Sequence, residues 1–372
     1  MKNVLIIGGG LAGLTCAILL QRNGYEVTLI EKKKYPFHRV CGEYVSNEVL
    51  PFLESLNIRV SELEPSNITQ LSVTSVSGNI LQAPLPLGGF GLSRYKFDNL
   101  LFQHAEKLGV KFLFEKVIDI RFNEDRFKVS LSDNRIYESA IAIAAYGKRS
   151  NLDQKLKRNF FYRRSPYLGV KYHIKTDLPN NLIRLDNFEG GYCGVCKIEE
   201  DKHNLCYLSE TANLKKYGGI AEMEEEVLFK NPHLKYLFNN SDFLFEKPEV
   251  INEISFERKT LVEDHLLFCG DAAGMITPLC GNGMAMAIHS AKILSECILL
   301  ATKTDSVFNR MALEKDYTQR WEKQFALRLK SGRLIQKLFG NKHISNLCVS
   351  ALSKSPSLTR LIVKKTHGKA FI

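Results

Sequence analysis

Residues 3–31 read NVLIIGGGLAGLTCAILLQRNGYEVTLIE, and this stretch decides the fold. Lys2–Ile7 is a short apolar strand, Gly8, Gly10 and Gly13 make the turn, and Leu11–Arg22 is an apolar helix closed by Gly24. Glu26–Glu31 is a second strand ending on a carboxylate. The first glycine turns the chain, the second lets backbone N–H groups approach a pyrophosphate, and the third lets helix and strand pack closely. The helix N-terminus adds partial positive charge. Glu31 stands eighteen residues past Gly13, where a carboxylate can accept hydrogen bonds from a ribose and would repel a 2′-phosphate. A dinucleotide with an unmodified ribose is implied, and both FAD and NAD satisfy that.

Beyond this unit, Val45–Leu56 reads as a helix and Ile68–Leu85 as a strand pair about Gly78. Phe97–Leu108 has helical periodicity; Val110–Phe114, Arg126–Leu131 and Ala140–Ala145 read as strands. After the polar stretch 148–158 come Tyr167–Ile174, Leu182–Leu185, Gly191–Ile198 and Asn204–Leu208, four antiparallel strands by texture. Ala221–Phe229 reads as a helix and Glu253–Lys259 as a strand. His265–Cys269 is a strand feeding a turn and a long helix to about Ala301, and Leu313–Ile372 reads as helical. We therefore assign 1–75, 93–150 and 255–300 to a discontinuous nucleotide-binding domain, 76–92 and 151–254 to a substrate domain, and 301–372 to a helical C-terminal region. A simple dehydrogenase would show unbroken βαβα alternation.

The second informative stretch follows the His265–Cys269 strand. Gly270-Asp271 leads to Pro278-Leu-Cys-Gly281-Asn282-Gly283 and then an apolar helix. Together with the first glycine turn it resembles the flavoprotein aromatic hydroxylase and geranylgeranyl reductase superfamily. The resemblance implies an α/β fold: a Rossmann-like FAD-binding domain (ββα three-layer, para-hydroxybenzoate hydroxylase-like), an interleaved antiparallel substrate sheet and a helical C-terminus. It implies that Asp271 binds the ribityl chain of FAD. Pro278, Gly281, Asn282 and Gly283 would bring backbone N–H groups and a helix N-terminus to the pyrimidine end of the flavin, where a positive dipole stabilises the anionic reduced ring.

Three further segments carry the same resemblance. Arg39-Val-Cys41-Gly-Glu43 matches the Arg/Lys-x-Cys-Gly-Glu segment of geranylgeranyl reductase-like proteins, and Arg94-Tyr-Lys-Phe-Asp98 matches a helix start whose arginine lies near FAD. Arg39 and Arg94 are therefore candidate cofactor ligands, since guanidinium suits phosphate oxygens. Val117 follows the strand where the family contacts adenine by backbone. Gly190-Gly-Tyr192-Cys-Gly resembles the strand that faces the flavin. Candidate catalytic residues are Cys41, as proton donor or flavin-side contact, Glu43, as acid/base or structural carboxylate, and Tyr192, as a substrate-facing hydroxyl. One departure is Ala144-Ala-Tyr146-Gly, where the family often has Gly-Ala-Asp-Gly; it puts NAD(P)H, the candidate electron donor, in doubt. Trp321 is the only tryptophan, so the Trp-x-Trp-x-Ile-Pro motif of tryptophan halogenases is absent and halogenation is set aside.

Composition is that of a globular protein, with 45% hydrophobic and 24% charged residues. No apolar run approaches the ~20 residues that span a bilayer, and no signal-peptide pattern is present; cytoplasmic residence is expected. Nine cysteines lie scattered, mostly in apolar runs, which suits reduced thiols. Cys193 and Cys196 stand three apart on an expected strand and point to opposite faces, so no metal site is assigned. Bases far outnumber acids from Arg328 onward, which is either a solvated face or an attraction to an anionic surface such as the inner face of a membrane, or to an acidic partner or substrate. No motif supports nucleic-acid binding.

The expected function is an FAD-dependent monooxygenase acting on a hydrophobic aromatic, polyketide or prenyl molecule. The alternatives are a geranylgeranyl reductase-like enzyme that reduces carbon–carbon double bonds, and a flavin-carrying binding protein without turnover. An NAD-dependent dehydrogenase would use the first motif alone.

Overall fold

Val4, Leu5, Ile6 and Ile7 are all buried, so the first strand is covered on both faces, as the middle of a parallel sheet requires. In the computed structural model this strand, β1 (Asn3–Ile7), pairs in parallel with β2 (Glu26–Ile30). The structure describes residues 3–372 apart from 164, 276–280, 304–307, 337–339, 356, 360–361 and 364–367, and of 253 and 335 only the backbone. Between β1 and β2 lies α1 (Leu11–Arg22). The chain then runs through β3 (Tyr44–Ser46), α2 (Leu50–Ser55), β4 (Ser66–Thr74), β5 (Ile80–Gly91), α3 (Arg94–Lys107) and β6 (Lys111–Leu113). A ribbon β7 (Val117–Asn123), β8 (Arg126–Leu131) and β9 (Ile136–Ser139) precedes β10 (Ile141–Ala144) and α4 (Asn151–Lys155).

The second half opens with β11 (Tyr167–Lys175), β12 (Leu182–Phe188), β13 (Gly191–Lys197) and β14 (His203–Glu210). Three helices follow, α5 (Thr211–Tyr217), α6 (Ile220–Val227) and α7 (Pro232–Asn239), then strands β15 (Asp242–Phe243), β16 (Glu249–Ile254), β17 (Val262–Glu263) and β18 (Leu266–Phe268). The C-terminal part is α8 (Gly283–Ala301), α9 (Arg310–Gln336) and α10 (Lys342–Ser353).

Strands order β17-β18-β10-β1-β2-β6 in the nucleotide-binding sheet. Pieces from the start, middle and end of the chain therefore meet side by side, with Ile7 between Ile30 and Ala144. Helices α1, α3 and α8 and the ribbon β7–β9 cover this sheet, and one apolar core joins all three layers. The expected α/β architecture with an interleaved antiparallel sheet and helical end is what forms.

The second sheet runs β15-β11-β14-β13-β12-β4-β5-β3, with β16 also paired to β11. It takes up β3 and β4, although residues 1–75 read as nucleotide-binding from sequence; Ser66–Thr74 pairs in parallel with β12 and antiparallel with β5. Its two faces differ. Cys193, Val195 and Tyr207 pack on Met223, Val227 and Leu234 of α6 and α7. Tyr192 and Leu208 turn the other way, onto Ile254 and Met275. Met275 lies within the second glycine motif, between Asp271 and Pro278, so this inner face looks toward the nucleotide-binding domain.

Two expectations change. The helix read over Val45–Leu56 begins only at Leu50, because Tyr44–Ser46 pairs with Gly89–Gly91. The helix α8 is, at 19 residues, long and apolar enough to cross a membrane, which the sequence was expected to lack. Met284, Ile288, Leu294 and Ile298 are buried, and α8 packs between α1 and α9: it is a core helix.

Candidate cofactor and substrate site

Gly8 has φ +105°, and a Cβ there would come within 2.6 Å of the Ala145 carbonyl oxygen at the end of β10. A Cβ on Gly13 would overlap the Gly8 carbonyl oxygen at 1.9 Å. Those two positions are closed by packing. Gly10 differs: it caps α1 with no side-chain hydrogen bond, and among the described residues a Cβ there would meet only Arg94 Nη2, at 3.6 Å. The uncapped first turn of α1 thus opens on a guanidinium, with no acidic residue in that turn. That is an anion site by backbone geometry and charge.

The second motif reaches the first. Gly270, at φ +63°, approaches α1 so closely that a Cβ would lie 2.8 Å from the Ala12 methyl. Asp271 follows in a short turn whose carbonyls are held from behind. Lys259 Nζ donates to the Asp271 carbonyl and to that of Lys148, each at 2.8 Å, and Arg158 Nη2 donates to the Ala272 carbonyl at 3.0 Å. Gly281, at φ +63°, lies against the Tyr44 ring. Asn282 is buried at the N-cap of α8, and Gly283 opens the helix. Pro278, expected in this turn, lies outside the described residues.

Glu31 is buried at the end of β2. Its Oε2 accepts the Gly9 N–H at 2.9 Å and Arg39 Nη2 at 3.2 Å. Arg39 also donates to the Gly9 carbonyl, and the Tyr35 hydroxyl donates to the same oxygen at 2.5 Å. The carboxylate and its neighbours therefore hold the Gly9 peptide from both sides. Asp98 forks between the two arginines: Oδ1 accepts Arg94 Nε at 2.6 Å, and Oδ2 accepts Arg94 Nη2 at 2.8 Å and Arg39 Nε at 2.9 Å. Val117 is partly buried at the start of β7 and has no described hydrogen bond to this cradle.

The uncapped α1 turn, the glycines whose Cβ positions are filled and the arginine aimed at Gly10 fit the pyrophosphate of FAD. Residues 1–306 match the family model described as FAD binding domain. The chain belongs to this family. It is 26% identical over 352 residues to a digeranylgeranylglycerophospholipid reductase of Methanosphaera stadtmanae, covering 87% of this chain and 81% of the relative. Among solved structures it is similar to a flavin-dependent brominase, with TM-score 0.81, 19% identity and coverage of 99% and 94%. A geranylgeranyl bacteriochlorophyll reductase-like protein of Thermoplasma acidophilum gives TM-score 0.80, 18% identity and coverage of 99% and 96%. At such identities these two likenesses speak for the fold.

The candidate chemistry lies on the loop between Arg39 and Glu43. Cys41 is partly buried, and its sulfur is a hydrogen-bond partner of the Arg94 guanidinium, so Arg94 stands between the thiol and Gly10. Glu43 is fully buried and held at φ +53°. Its Oε1 accepts Lys171 Nζ at 2.5 Å and the Arg94 N–H at 2.8 Å, and its Oε2 lies 2.7 Å from His173 Nε2. Burial alone would raise this carboxyl, but the charge of Lys171 and the bond and charge of His173 outweigh it and hold it at about 2. Lys171 Nζ also donates to the Arg39 carbonyl, and Lys148 Nζ to that of Val40. Glu43 is thus an ionised anchor that fixes the Cys41 loop to α3 and β11. Tyr192 is buried on the inner face of the sheet beside Met275.

Lys171 and His173 were not singled out from sequence, although the signal is there. In Gly169-Val-Lys-Tyr-His-Ile174 the lysine and histidine stand two apart on a strand and so share one face. Tyr146, which stands in place of the aspartate, donates to Asp153 Oδ1 at 2.6 Å, and Asp153 pairs with Arg158 at 3.0 Å. It is bound into a buried network. Cys193 and Cys196 fall in separate apolar clusters on opposite faces of β13.

Proposed function

We propose that this FAD-dependent oxidoreductase reduces carbon–carbon double bonds of a hydrophobic prenyl-type substrate. The observation that carries the proposal is Cys41: a partly buried thiol, hydrogen-bonded to Arg94, on a loop anchored by an ionised and fully buried Glu43. Reduced FAD, when bound in the glycine cradle, supplies hydride. Saturating a double bond then needs one proton at the neighbouring carbon. The Cys41 thiol donates it, the Arg94 guanidinium stabilises the thiolate left behind, and the thiol regains its proton from solvent. The inner face of the substrate sheet, with Tyr192, Leu208 and Ile254, offers an apolar wall that excludes water. The 26% identity to a digeranylgeranylglycerophospholipid reductase supports a lipid-soluble substrate.

The monooxygenase reading differs in one testable respect: it needs O₂ where reduction does not. The purified protein, reduced with dithionite under anaerobic conditions and given a polyprenyl substrate, should yield a product heavier by two hydrogens per bond. A product that forms only with O₂ and carries labelled oxygen would replace reduction with hydroxylation. Absence of any substrate-dependent reoxidation would leave a flavin-carrying binding protein. NAD(P)H is tested as donor in the same assay by replacing dithionite.

A further inference from the structure

Charge is distributed very unevenly along this chain. Residues 328–372 contain ten Lys and Arg and no Asp or Glu. The formal net charge is +11, so the other 327 residues together carry only +1. The C-terminal segment is therefore the source of nearly all the net positive charge.

Helix α10 lies within that segment and has two distinct faces. Val349 and Leu352 pack onto Val73, Leu81 and Leu185. Leu185 stands opposite Gly194 in the β12–β13 ladder, on the face that carries Tyr192. One side of α10 thus roofs the inner face of the substrate sheet. Val363, farther on, packs on Ile183 and Cys196 of that same face.

The other side of α10 carries apolar side chains that no described residue covers. Ile344 is 40% exposed, Leu347 72%, and Ala351 is exposed as well. Their spacing of three and then four residues puts them on one stripe. Leu358, just beyond, is 47% exposed. Lys354, three residues past Ala351, is exposed at the C-terminal end of the stripe, and Lys342 is exposed in the first turn of the helix; the long stem of such a lysine lies along apolar surface while its ammonium reaches polar headgroups. Single exposed leucines need no explanation. An apolar stripe that ends on Lys354, in a segment with ten basic residues and no acidic one, has the makeup of a helix that lies in a membrane interface.

We propose that this outer face of α10 docks on an anionic lipid bilayer and brings the roof of the substrate sheet to the membrane surface. The occupant is a bilayer rather than an acidic protein because the apolar stripe needs a hydrocarbon phase while the flanking lysines need only diffuse negative charge. Docking deepens the prenyl-lipid reading and rests on it for its purpose, yet it is measured without turnover, so the two can fail separately.

The test is flotation of the FAD-loaded full chain with vesicles of phosphatidylglycerol and phosphatidylcholine, against phosphatidylcholine alone. The bound fraction should fall about tenfold on neutral vesicles or at roughly 0.5 M salt. Leu347→Asp, and separately the pair Lys342→Glu with Lys354→Glu, should each lower binding to anionic vesicles about tenfold. The flavin absorbance of both variants should stay unchanged, which shows that they fold. Equal binding to the two vesicle types overturns the proposal, as does binding that neither variant weakens. No vesicle binding at all also overturns it, and pull-down of a defined acidic protein lost in the lysine variant would then assign the face to that partner.

Discussion

Glu43 and Lys171 meet at 2.5 Å with neither side chain exposed to solvent. Removing one member of such a pair leaves a buried charge unpaired, which costs about 3–5 kcal/mol. Glu43→Gln should therefore destabilise the protein strongly, and so should Lys171→Met. The double variant should lose much less than the sum of the two, because neither charge is then stranded. Denaturant titration of the four forms checks this; strictly additive losses would mean that the pair is not coupled. The pH dependence has a definite sign. The Glu43 carboxyl is depressed from 4.5 to about 2 in the fold, so its contribution is complete above pH 4.5. It is lost as pH falls from there toward 2. In Glu43→Gln that part of the acid slope should vanish.

Gly10 separates cofactor binding from folding. A Cβ at Gly8 or Gly13 collides with backbone, whereas among the described residues one at Gly10 meets only the far end of Arg94, at 3.6 Å. Gly10→Ala should leave the stability of the FAD-free protein within about 0.5 kcal/mol of the original, the usual range for substitutions that disturb no packing. The added methyl nonetheless stands where a pyrophosphate must approach the α1 N-terminus. FAD affinity, followed by flavin fluorescence, should fall at least about tenfold, or ~1.4 kcal/mol. Unchanged affinity would place the pyrophosphate elsewhere.

Legibility followed the range of the signal. The βαβ unit was readable because strand, turn and helix are contiguous and each glycine has a local steric reason. The same held for Gly270-Asp271. The anchoring of Cys41 was not, because Glu43, Lys171 and His173 are brought together across more than a hundred residues by β11 pairing. Nothing near Glu43 in sequence says which cations face it. Strand β4 escaped its proper sheet for the same reason: its partner β12 comes from the other half of the chain. The arginines were read as phosphate ligands on chemical grounds. In the structure they share Asp98, and only the position of Arg94 beside Gly10 shows which of the two faces the cradle.

Lys259 links the second glycine motif to pH. The residue is 8% exposed, and its ammonium bridges the Lys148 and Asp271 carbonyls. Burial lowers it from 10.5 to about 8, opposed by the nearby Asp271 carboxylate. Between pH 8 and 10.5 the unfolded chain holds this proton and the fold releases it, so stability from this group rises with pH across that window and is lost as pH falls through it. The full effect is on the order of 3 kcal/mol. Lys259→Met should remove this increment: the difference in stability between original and variant, measured from pH 7.5 to 10.5, should change across the window. A flat difference would mean that Lys259 titrates at its ordinary value.

Cys41 is where the proposed reaction is most exposed to refutation. If its thiol delivers the proton, Cys41→Ser keeps the size of the side chain but replaces it with a far weaker acid. Turnover should fall by about 10²–10⁴-fold, the usual contribution of a positioned acid. The FAD affinity should not change, because Arg94 remains paired to Asp98 through Nε and Nη2. Reduction of the flavin by dithionite should likewise proceed at the original rate, which puts the loss in the substrate half-reaction. Single-turnover reoxidation of the reduced enzyme by substrate separates these steps, and a solvent deuterium isotope effect on that phase should be present in the original protein. If Cys41→Ser turns over at the original rate with the same isotope effect, the proton comes from elsewhere. Tyr192, buried on the inner face of β13, is then the next hydroxyl to replace with phenylalanine.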